Sequence, residues 1–434
     1  MKNVLIIATV FLCATGLPYD ASADSSRSAS LVVDWNDLLL TIAQEEDGFL
    51  TLKGVRAAAM MHLSMHDAIA SIEGKYSPYA YLETTVTADA TAATNQAAYF
   101  VALDQYPEQK GRLLALRDKW NSMSEESEAT DAGIALGTEA ARTVLLERVD
   151  DGWDSEAEYS WHPMGPGVYA EFSDHSGTPQ GFIFGASWAK ARGFALKSAD
   201  QFRAPAVPEI NSDAYTKAFN EVKNYGRFQS MFRTPDQTHL ALWWKDFAEN
   251  SHNRLARDLA VKESLPLADS ARLFALLNMS IFDAYISAFE NKFFYNHWRP
   301  YTAIRWAAND GNEDTHPEEL WTNTHRHTYP FPSYPSAHGT ACAAAMSALA
   351  EVFGEPYPFT MTTETVDIAG PFSGLINMQP ATRRFDGFFD AAMECSESRI
   401  YLGIHFRYDS VEGFNLGRAV GSNVVNTRLT PVKR

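Results

Sequence analysis

Apolar residues recur at three- and four-residue spacing through most of the chain, which is the period of a helix with one buried face. Strict alternation of apolar and polar residues, the pattern of a half-buried strand, is scarce. The pattern therefore predicts an all-α fold. The predicted helices cover residues 32–48, 54–73, 93–103, 133–149, 268–293, 340–353 and 398–425.

Residues 150–225 interrupt this helical pattern. The segments WHPMGPGVYAEF, TPQGFIFGASW and FRAPAVP are rich in glycine, proline and aromatic residues. Such a composition predicts a long irregular connection with little regular structure.

An internal repeat indicates how the helices are organised. The segments VRAAAMMHLSMHDAIASIE and ARLFALLNMSIFDAYISAF lie 216 residues apart, and GIALGTEA from Gly133 has an echo in GFNLGRAV from Gly413. Any two amphipathic helices share some apolar positions, but shared polar positions favour a duplication. We infer two related helical bundles packed as one domain, 24–434: a first bundle at about 32–150, an irregular aromatic-rich connection at about 151–264, and a second, catalytic bundle at about 265–430. The matched pairs are Arg56/Arg272, Ala59/Ala275, Ser64/Ser280, Asp67/Asp283, Ala68/Ala284 and Ser71/Ser287.

Composition narrows the classes of protein that need to be considered. The 434 residues are 46% hydrophobic and 21% charged, which excludes a disordered, collagen-like or low-complexity chain. A net charge of −18 repels nucleic acid and anionic membranes, so we expect neither as a partner. A cluster of lysine and arginine in so acidic a chain indicates a bound anion.

The first 26 residues, MKNVLIIATVFLCATGLPYDASADSS, have an early lysine, an apolar run at 4–17, and small residues at Ala21 and Ala23. This arrangement predicts a signal peptide at 1–23 and a secreted or periplasmic protein. The run is too short for a membrane span, which needs about 20 residues, and we expect no span elsewhere.

Two cysteines, Cys342 and Cys395, follow the predicted signal peptide. They could form one disulfide in an oxidising compartment or remain two buried thiols. Their helical, apolar surroundings favour thiols.

The second bundle contains three short motifs in order. In the first, KFFYNHWRP, Arg299 stands seven positions after Lys292, and this spacing predicts that both cations share one helix face. In the second, PSYPSAHG, Ser336, Ala337 and His338 open a predicted helix, whose free backbone N–H groups favour a tetrahedral oxyanion.

The third motif, SRIYLGIHFRYD, adds Arg399, His405 and Asp409. One helical turn separates Asp409 from His405, so the carboxylate can accept from the imidazole and fix its tautomer. Each motif alone has a structural explanation, such as a solvated charged face or a helix cap. Together they predict a site for a multiply charged oxyanion.

These motifs, Lys-x6-Arg-Pro, Pro-Ser-x-His and Ser-Arg-x5-His-x3-Asp, resemble those of the superfamily that joins type-2 phosphatidic acid phosphatases, bacterial acid phosphatases and vanadium-dependent haloperoxidases. One position departs from the family, since Ala337 stands where the family has glycine. The resemblance implies vanadate or phosphate as the bound anion, His405 as the axial metal ligand, His338 as the acid–base group and Asp409 as the support of His405. It implies that the anion is held by Lys292, Arg299, Ser336, the amide of Ala337, and Arg399.

Within this superfamily two reactions compete as interpretations. A haloperoxidase would use vanadate and hydrogen peroxide to oxidise halide to hypohalous acid, which could pass to a small organic acceptor. An acid phosphatase would form a phosphohistidine at His405. The duplicated bundle and the segments YPFPSYPSAHGT and SRIYLGIHFRYD favour the haloperoxidase branch. A third interpretation, a non-catalytic anion-binding protein, leaves His338 unexplained, and a homo-oligomer is compatible with each.

Other residues near the motifs invite functional interpretations. His62 and His66 lie four residues apart and could form a zinc-binding face, although packing is the favoured explanation. His325 and His327 could line an entrance to the site. Next to the motifs, Trp298 and Phe331 are expected to shape the pocket.

Phe331 stands seven residues before His338. At this position the chloroperoxidases of the family resemble this chain in having phenylalanine, whereas its bromoperoxidases have histidine. The resemblance implies that bromide and iodide are oxidised readily and chloride measurably.

Overall fold

A computed structural model describes residues 21–48, 52–85, 87–170, 173–179, 181–370 and 373–433 of the chain. The fold is mostly helical, which confirms the predicted all-α class. The predicted signal peptide lies outside these residues except for 21–23. The helices are α1 (Ala21–Asp47), α2 (Leu52–Glu73), α3 (Ala90–Gln105), α4 (Lys110–Asn121), α5 (Glu128–Glu147), α6 (Ser173–Ser176), α7 (Asp213–Tyr225), α8 (Pro235–Trp243), α9 (Ala248–Lys262), α10 (Leu267–Tyr295), α11 (Pro300–Trp306), α12 (Ala337–Phe353), α13 (Phe388–Leu402) and α14 (Arg407–Thr427).

The centre of the protein is formed by α2 and α10, which pack against each other. Within the described residues, α10 is the one helix long and apolar enough to cross a membrane by length and composition. However, 94% of its most apolar window is buried inside the protein, as expected of a core helix.

The repeat seen in the sequence has a structural counterpart. Asp67 of α2 accepts hydrogen bonds from three successive backbone N–H groups, those of residues 79, 80 and 81. Asp283 of α10 accepts from the N–H groups of residues 194, 195 and 196 in the same order. Each carboxylate thus fastens one loop to its own bundle, and this shared contact supports the inferred duplication.

The glycines of the second echo are also equivalent. A Cβ at Gly137 of α5 would lie 2.2 Å from the carbonyl oxygen of Ala93 in α3. One at Gly417 of α14 would lie 2.2 Å from the carbonyl oxygen of Thr340 in α12. Both helix pairs therefore approach so closely that no side chain fits between them.

The predicted irregular connection contains helices that the sequence analysis missed. In α7, Ser212 accepts a hydrogen bond from the Tyr215 N–H and caps the helix, and the apolar face formed by Tyr215, Phe219 and Val222 is buried. Two further helices, α8 and α9, follow before residue 264. The prediction of little regular structure was therefore wrong for residues 213–225, because short helices between loops give a weak periodic signal.

The helix predicted at 398–425 is two helices. After α13, Gly403 adopts a left-handed conformation with φ of 82°, and a Cβ there would lie 2.2 Å from the backbone oxygen of Gly226. Glycine alone fits this position easily. The break turns the chain, so that His405 lies just before α14 and Asp409 in its first turn, rather than both in the middle of a continuous helix.

Two small antiparallel sheets lie between α12 and α13, and neither was predicted. Strand β1 (Phe359–Thr362) pairs with β4 (Thr382–Phe385), and β2 (Thr365–Asp367) pairs with β3 (Leu375–Asn377). Strands of three or four residues are too short to show a clear alternation.

Cys342 and Cys395 form a disulfide that joins α12 to α13. The preference for two free thiols was therefore wrong. Helical, apolar surroundings do not prevent a bond when two buried helices bring the sulfur atoms together.

Candidate active site

The N-terminus of α12 forms the floor of the site. Ser336 caps this helix, and its Oγ accepts a hydrogen bond from the N–H of Gly339 at 3.2 Å. Ala337 is the first helical residue and His338 the second. The unpaired N–H groups and the helix dipole favour an anion at this end of the helix.

Lys292 and Arg299 reach the site from different elements. Lys292 lies in the last turn of α10, which ends at the left-handed Asn296, whereas Arg299 caps α11 in the extended conformation expected before Pro300. The prediction that both cations share one helix face was therefore wrong. They converge because both bind the backbone of residues 331–333.

The contacts of these two cations leave donors free. Lys292 Nζ donates to the carbonyl oxygens of Pro332 at 2.9 Å and Ser333 at 2.7 Å. Arg299 Nε donates to the carbonyl oxygen of Phe331 at 2.8 Å, while its Nη2 is buried without a partner in the described structure. Arg299 can therefore donate to a bound anion.

Arg399 approaches from the last turn of α13. Its Nε donates to Ser398 Oγ at 3.0 Å, and its Nη2 donates to the backbone oxygen of Trp244 at 2.6 Å. Burial lowers the pKa of both Arg399 and Arg299 to about 10, and both guanidinium groups remain charged at neutral pH.

Within the described part of the chain, Lys292, Arg299 and Arg399 are at most 3% exposed and none of them forms an ion pair with a carboxylate. Burial and the charge of Arg299 lower the pKa of Lys292 well below its usual range. Uncompensated buried charge is unfavourable, so this arrangement calls for an anion.

His405 is oriented by Asp409. Its Nδ1 donates to Asp409 Oδ2 at 2.9 Å, and its Nε2 accepts from Arg299 Nη1 at 3.3 Å. Burial lowers the pKa of His405 well below its usual range, and the charges of Arg299 and Lys292 lower it further. The neutral imidazole therefore presents the lone pair of Nε2, the form that binds a metal.

Asp409 is itself held in place by the backbone and by Ser333. The N–H of Phe406 donates to Asp409 Oδ2 at 3.1 Å, and Ser333 Oγ donates to the same oxygen. Burial raises the pKa of Asp409 to about 7, against the opposing hydrogen bond from Ser333 and the charge of Lys292.

His338 lies beside this arrangement with one ring nitrogen free. Its Nε2 is buried and has no hydrogen-bond partner in the described structure. Burial, the charge of Arg399 and that of His252 lower its pKa well below the usual range, while the hydrogen bond to the Trp244 backbone raises it. The group is thus neutral and can accept or return a proton.

The site opens into a small pocket of about 40 Å³, a volume comparable with about three water molecules. Its walls include Phe289 and Phe331, and the cations Lys292 and Arg299 lie over the Phe331 ring at 5.2 and 4.7 Å from its centroid. The pocket therefore combines an apolar wall with a positive floor, which suits a small anion.

Residues 272–433 match the family model described as the VCPO second helical-bundle domain. The vanadium chloroperoxidase of Curvularia inaequalis is 29% identical over 228 residues, which are 41% of this chain and 37% of that protein's length. A solved bacterial vanadium-dependent iodoperoxidase is similar over 94% of this chain and 98% of its own, with a TM-score of 0.74 and 22% identity. The chain has the vanadium haloperoxidase fold.

A second solved structure agrees with this assignment. The holo-type bacterial vanadium-dependent chloroperoxidase covers 87% of this chain and 92% of its own, with a TM-score of 0.64 and 16% identity. The predicted resemblance to the vanadium-dependent haloperoxidase branch is thus confirmed. In this fold, residues of the second and third motifs line one pocket, although the three motifs are spread over 118 residues of sequence.

The structure places most of the predicted site residues around this pocket, and their individual roles stay predictions. Ala337, His338, Arg399, His405 and Phe331 line it directly. Lys292, Arg299, Ser336 and Asp409 are buried behind them.

The expectation for Trp298 was wrong, and the possibility raised for two histidines is not supported by the pocket lining. Trp298 packs with Tyr215 and Trp306 in a separate apolar cluster and does not line the pocket. Neither His325 nor His327 lines it, and the His325 ring packs against Tyr329 with the ring centroids 5.3 Å apart.

The histidines considered as a zinc face are packed in the core. His62 Nε2 lies 3.0 Å from Asn36 Nδ2, and its ring stacks on Phe274. In the described residues, His62 and His66 belong to no group of three potential metal ligands.

Several residues around the site carried no sequence signal. Ser333 donates a hydrogen bond to Asp409, and the backbone oxygen of Trp244 accepts one from Arg399. Lys245 and Tyr285 line the pocket. Ser333 lies within the second motif, but the motif gave it no role. Trp244, Lys245 and Tyr285 lie outside the motifs and reach the site only through packing at the end of α8 and along α10.

Proposed function

We propose that this protein is a vanadate-dependent haloperoxidase, which uses hydrogen peroxide to oxidise halide to hypohalous acid. One observation carries the proposal: three buried cations without carboxylate partners converge with a helix N-terminus on His405, whose Nε2 faces the guanidinium of Arg299. The similarity to vanadium chloroperoxidase and to solved iodo- and chloroperoxidases supports it.

The residues present fit an oxyanion such as vanadate. Arg299 Nη2 and His338 Nε2 are buried polar atoms that lack a partner in the described structure, and a bound oxyanion would supply acceptors for them. Vanadate would be held by Lys292, Arg299, Ser336, the amide of Ala337, and Arg399, with His405 as its metal ligand. When bound, vanadate supplies a Lewis-acidic centre that activates hydrogen peroxide toward halide.

The side chains of the site would orient the bound vanadate and transfer protons to and from peroxide. Asp409 holds the His405 ring through Nδ1, so that Nε2 would be the atom that binds vanadium, and the cations would stabilise negative charge on the bound oxygens. His338 would accept a proton from peroxide as it binds and return it to the oxygen that leaves as water. Phe331 would form the apolar side of the halide position.

We also propose that the protein is secreted or periplasmic. The predicted signal peptide at 1–23 is one support, and the disulfide between Cys342 and Cys395 is another, because such bonds persist in oxidising compartments.

The proposed activity is tested by loading the purified protein with vanadate, measuring bound vanadium, and following peroxide-dependent oxidation of iodide, bromide and chloride. Phosphatase activity is measured in parallel, and orthophosphate should compete with vanadate. His62→Asn, which changes a buried histidine outside the pocket, is the control for His405→Ala. Phosphate release without halide oxidation would replace the proposal with an acid phosphatase.

A further inference from the structure

Behind the pocket lies a buried acid that the proposed mechanism does not use. Glu249, in the first turn of α9, is 5% exposed and forms no ion pair within the described residues. Its Oε2 accepts a hydrogen bond of 2.7 Å from the hydroxyl of Tyr285. Burial raises the pKa of Glu249 to about 7, although the bond from Tyr285 opposes this. A buried carboxyl group without a cation destabilises the fold and therefore points to a function.

The pair connects two spaces. Tyr285 lines the anion pocket together with His338. A groove of about 400 Å³, here called the outer groove, is lined by Phe247 and Asn250 among other residues, and Phe247 also lines the pocket. Glu249 lines neither space itself, but it is hydrogen-bonded to Tyr285 at the pocket and precedes Asn250 at the outer groove, so the pair links the two.

We propose that Glu249 and Tyr285 form a proton relay from the outer groove to the anion pocket, a role that rests on the proposed haloperoxidase function. Oxidation of halide by peroxide consumes a proton, as H2O2 + X⁻ + H⁺ gives HOX + H2O. The O–O bond breaks, an O–X bond forms, the halide loses two electrons and the peroxide gains them.

The relay delivers the proton that this balance requires. When Glu249 is protonated, its hydrogen bond with Tyr285 reverses. Glu249 then donates to the Tyr285 oxygen while the Tyr285 hydroxyl gives its own proton to the departing oxygen, which receives its other proton from His338 and leaves as water. Tyrosine never has to ionise, which matters because burial and the charge of Glu249 raise the pKa of Tyr285 well above its usual range. Glu249 then recovers a proton from the side of the outer groove, where the next residue, Asn250, is partly exposed.

Other titratable groups face the pair from neighbouring elements. Asp246, which precedes α9, raises the pKa of Glu249, and Tyr329 raises that of Tyr285. Lys245 and His338 line the same pocket. The pH dependence of kcat in wild type therefore reports several groups, and the contribution of the pair is obtained by comparing it with that of the variants.

The test uses Glu249→Gln, which preserves the shape but cannot release a proton, and Tyr285→Phe, which removes the hydroxyl. Each should lower kcat at neutral pH by about 10- to 100-fold, within the range of acid–base contributions. The double variant should lose no more than the worse single variant, because the two residues act in one pathway. Vanadate affinity should change by less than about twofold, since neither residue holds the anion.

A spectroscopic measurement tests the relay without turnover. The infrared difference spectrum of wild type minus Glu249→Gln should show the band of the protonated Glu249 carboxyl group. This band should disappear as the pH is raised through neutrality. Tyr106→Phe is the matched control, because Tyr106 also donates to a carboxylate, Asp47, at 2.7 Å but lies in the first bundle. It should leave kcat and the band unchanged.

The outcomes separate the two proposals. If wild type is active and Glu249→Gln and Tyr285→Phe are fully active, the relay alone is overturned. The same holds if the variants lose activity only because they bind vanadate more weakly. Wild type that binds vanadate but oxidises no halide would overturn the haloperoxidase function and the relay with it.

Discussion

The buried Glu249 should make the stability of the protein depend on pH in a way that Glu249→Gln removes. Its pKa is 4.5 in an exposed chain and about 7 in the folded protein because of burial. Between these values the folded protein holds a proton that the unfolded chain has released. The folded state then binds more protons, so the free energy of unfolding falls as pH rises.

The size of the effect follows from the two pKa values. At 1.36 kcal/mol per pH unit, the difference corresponds to about 3 kcal/mol. This stability is fully present below pH 4.5, declines between pH 4.5 and 7, and is lost above pH 7. Glutamine is neutral at every pH. The free energy of unfolding of the variant, relative to that of wild type, should therefore increase by about 3 kcal/mol as the pH rises from 4.5 to 8.

Urea unfolding followed by tryptophan fluorescence at several pH values measures this difference. Subtracting wild type from variant cancels the titration of other groups, including the buried histidines. Asn250→Gln, a neutral exchange on the same helix, should shift stability equally at every pH. A Glu249→Gln difference that is constant from pH 4.5 to 8 would refute the reasoning, because the carboxyl group would then be solvated or compensated in solution.

Three further predictions concern the site. His405→Ala should abolish vanadate binding and halide oxidation together, while Asp409→Ala should weaken vanadate binding by about 10- to 100-fold; equilibrium dialysis with vanadium analysis measures both. His338→Ala should bind vanadate but lose turnover by about 100- to 10,000-fold, as seen in steady-state kinetics. Phe331→His should change the halide preference and the pH optimum, because it places a titratable ring beside His338; the assay compares chloride, bromide and iodide from mildly acidic to neutral pH.

Specific results would contradict each of these predictions. Full vanadate affinity in His405→Ala would remove this residue as the metal ligand. Failure of His338→Ala to bind vanadate would make His338 a structural residue. If wild type never oxidises chloride, and Phe331→His alters neither preference nor pH optimum, Phe331 has no part in the halide position. His62→Asn controls for general effects of changing a buried residue.

The sequence determined the features that depend on neighbouring positions of one helix. Helical periodicity predicted the all-α class, and the polar matches of the repeat pointed to the two aspartates that fasten equivalent loops. His405 and Asp409 are four positions apart, which predicted their contact, although the structure makes it from a residue just before α14 to one in its first turn. Likewise, Ser336 and His338 share the first turn of α12, and local geometry alone places both at its N-terminus.

Tertiary packing decided what no spacing could show. Lys292 and Arg299 meet because both bind the carbonyl groups of 331–333, about 40 residues beyond Lys292. Glu249 meets Tyr285 only because α9 packs on α10. The disulfide and the turn at Gly403 depend likewise on contacts between distant segments. Periodicity fixes which face of a helix is buried, but the partner of that face is set by packing of the whole chain, which local sequence does not encode.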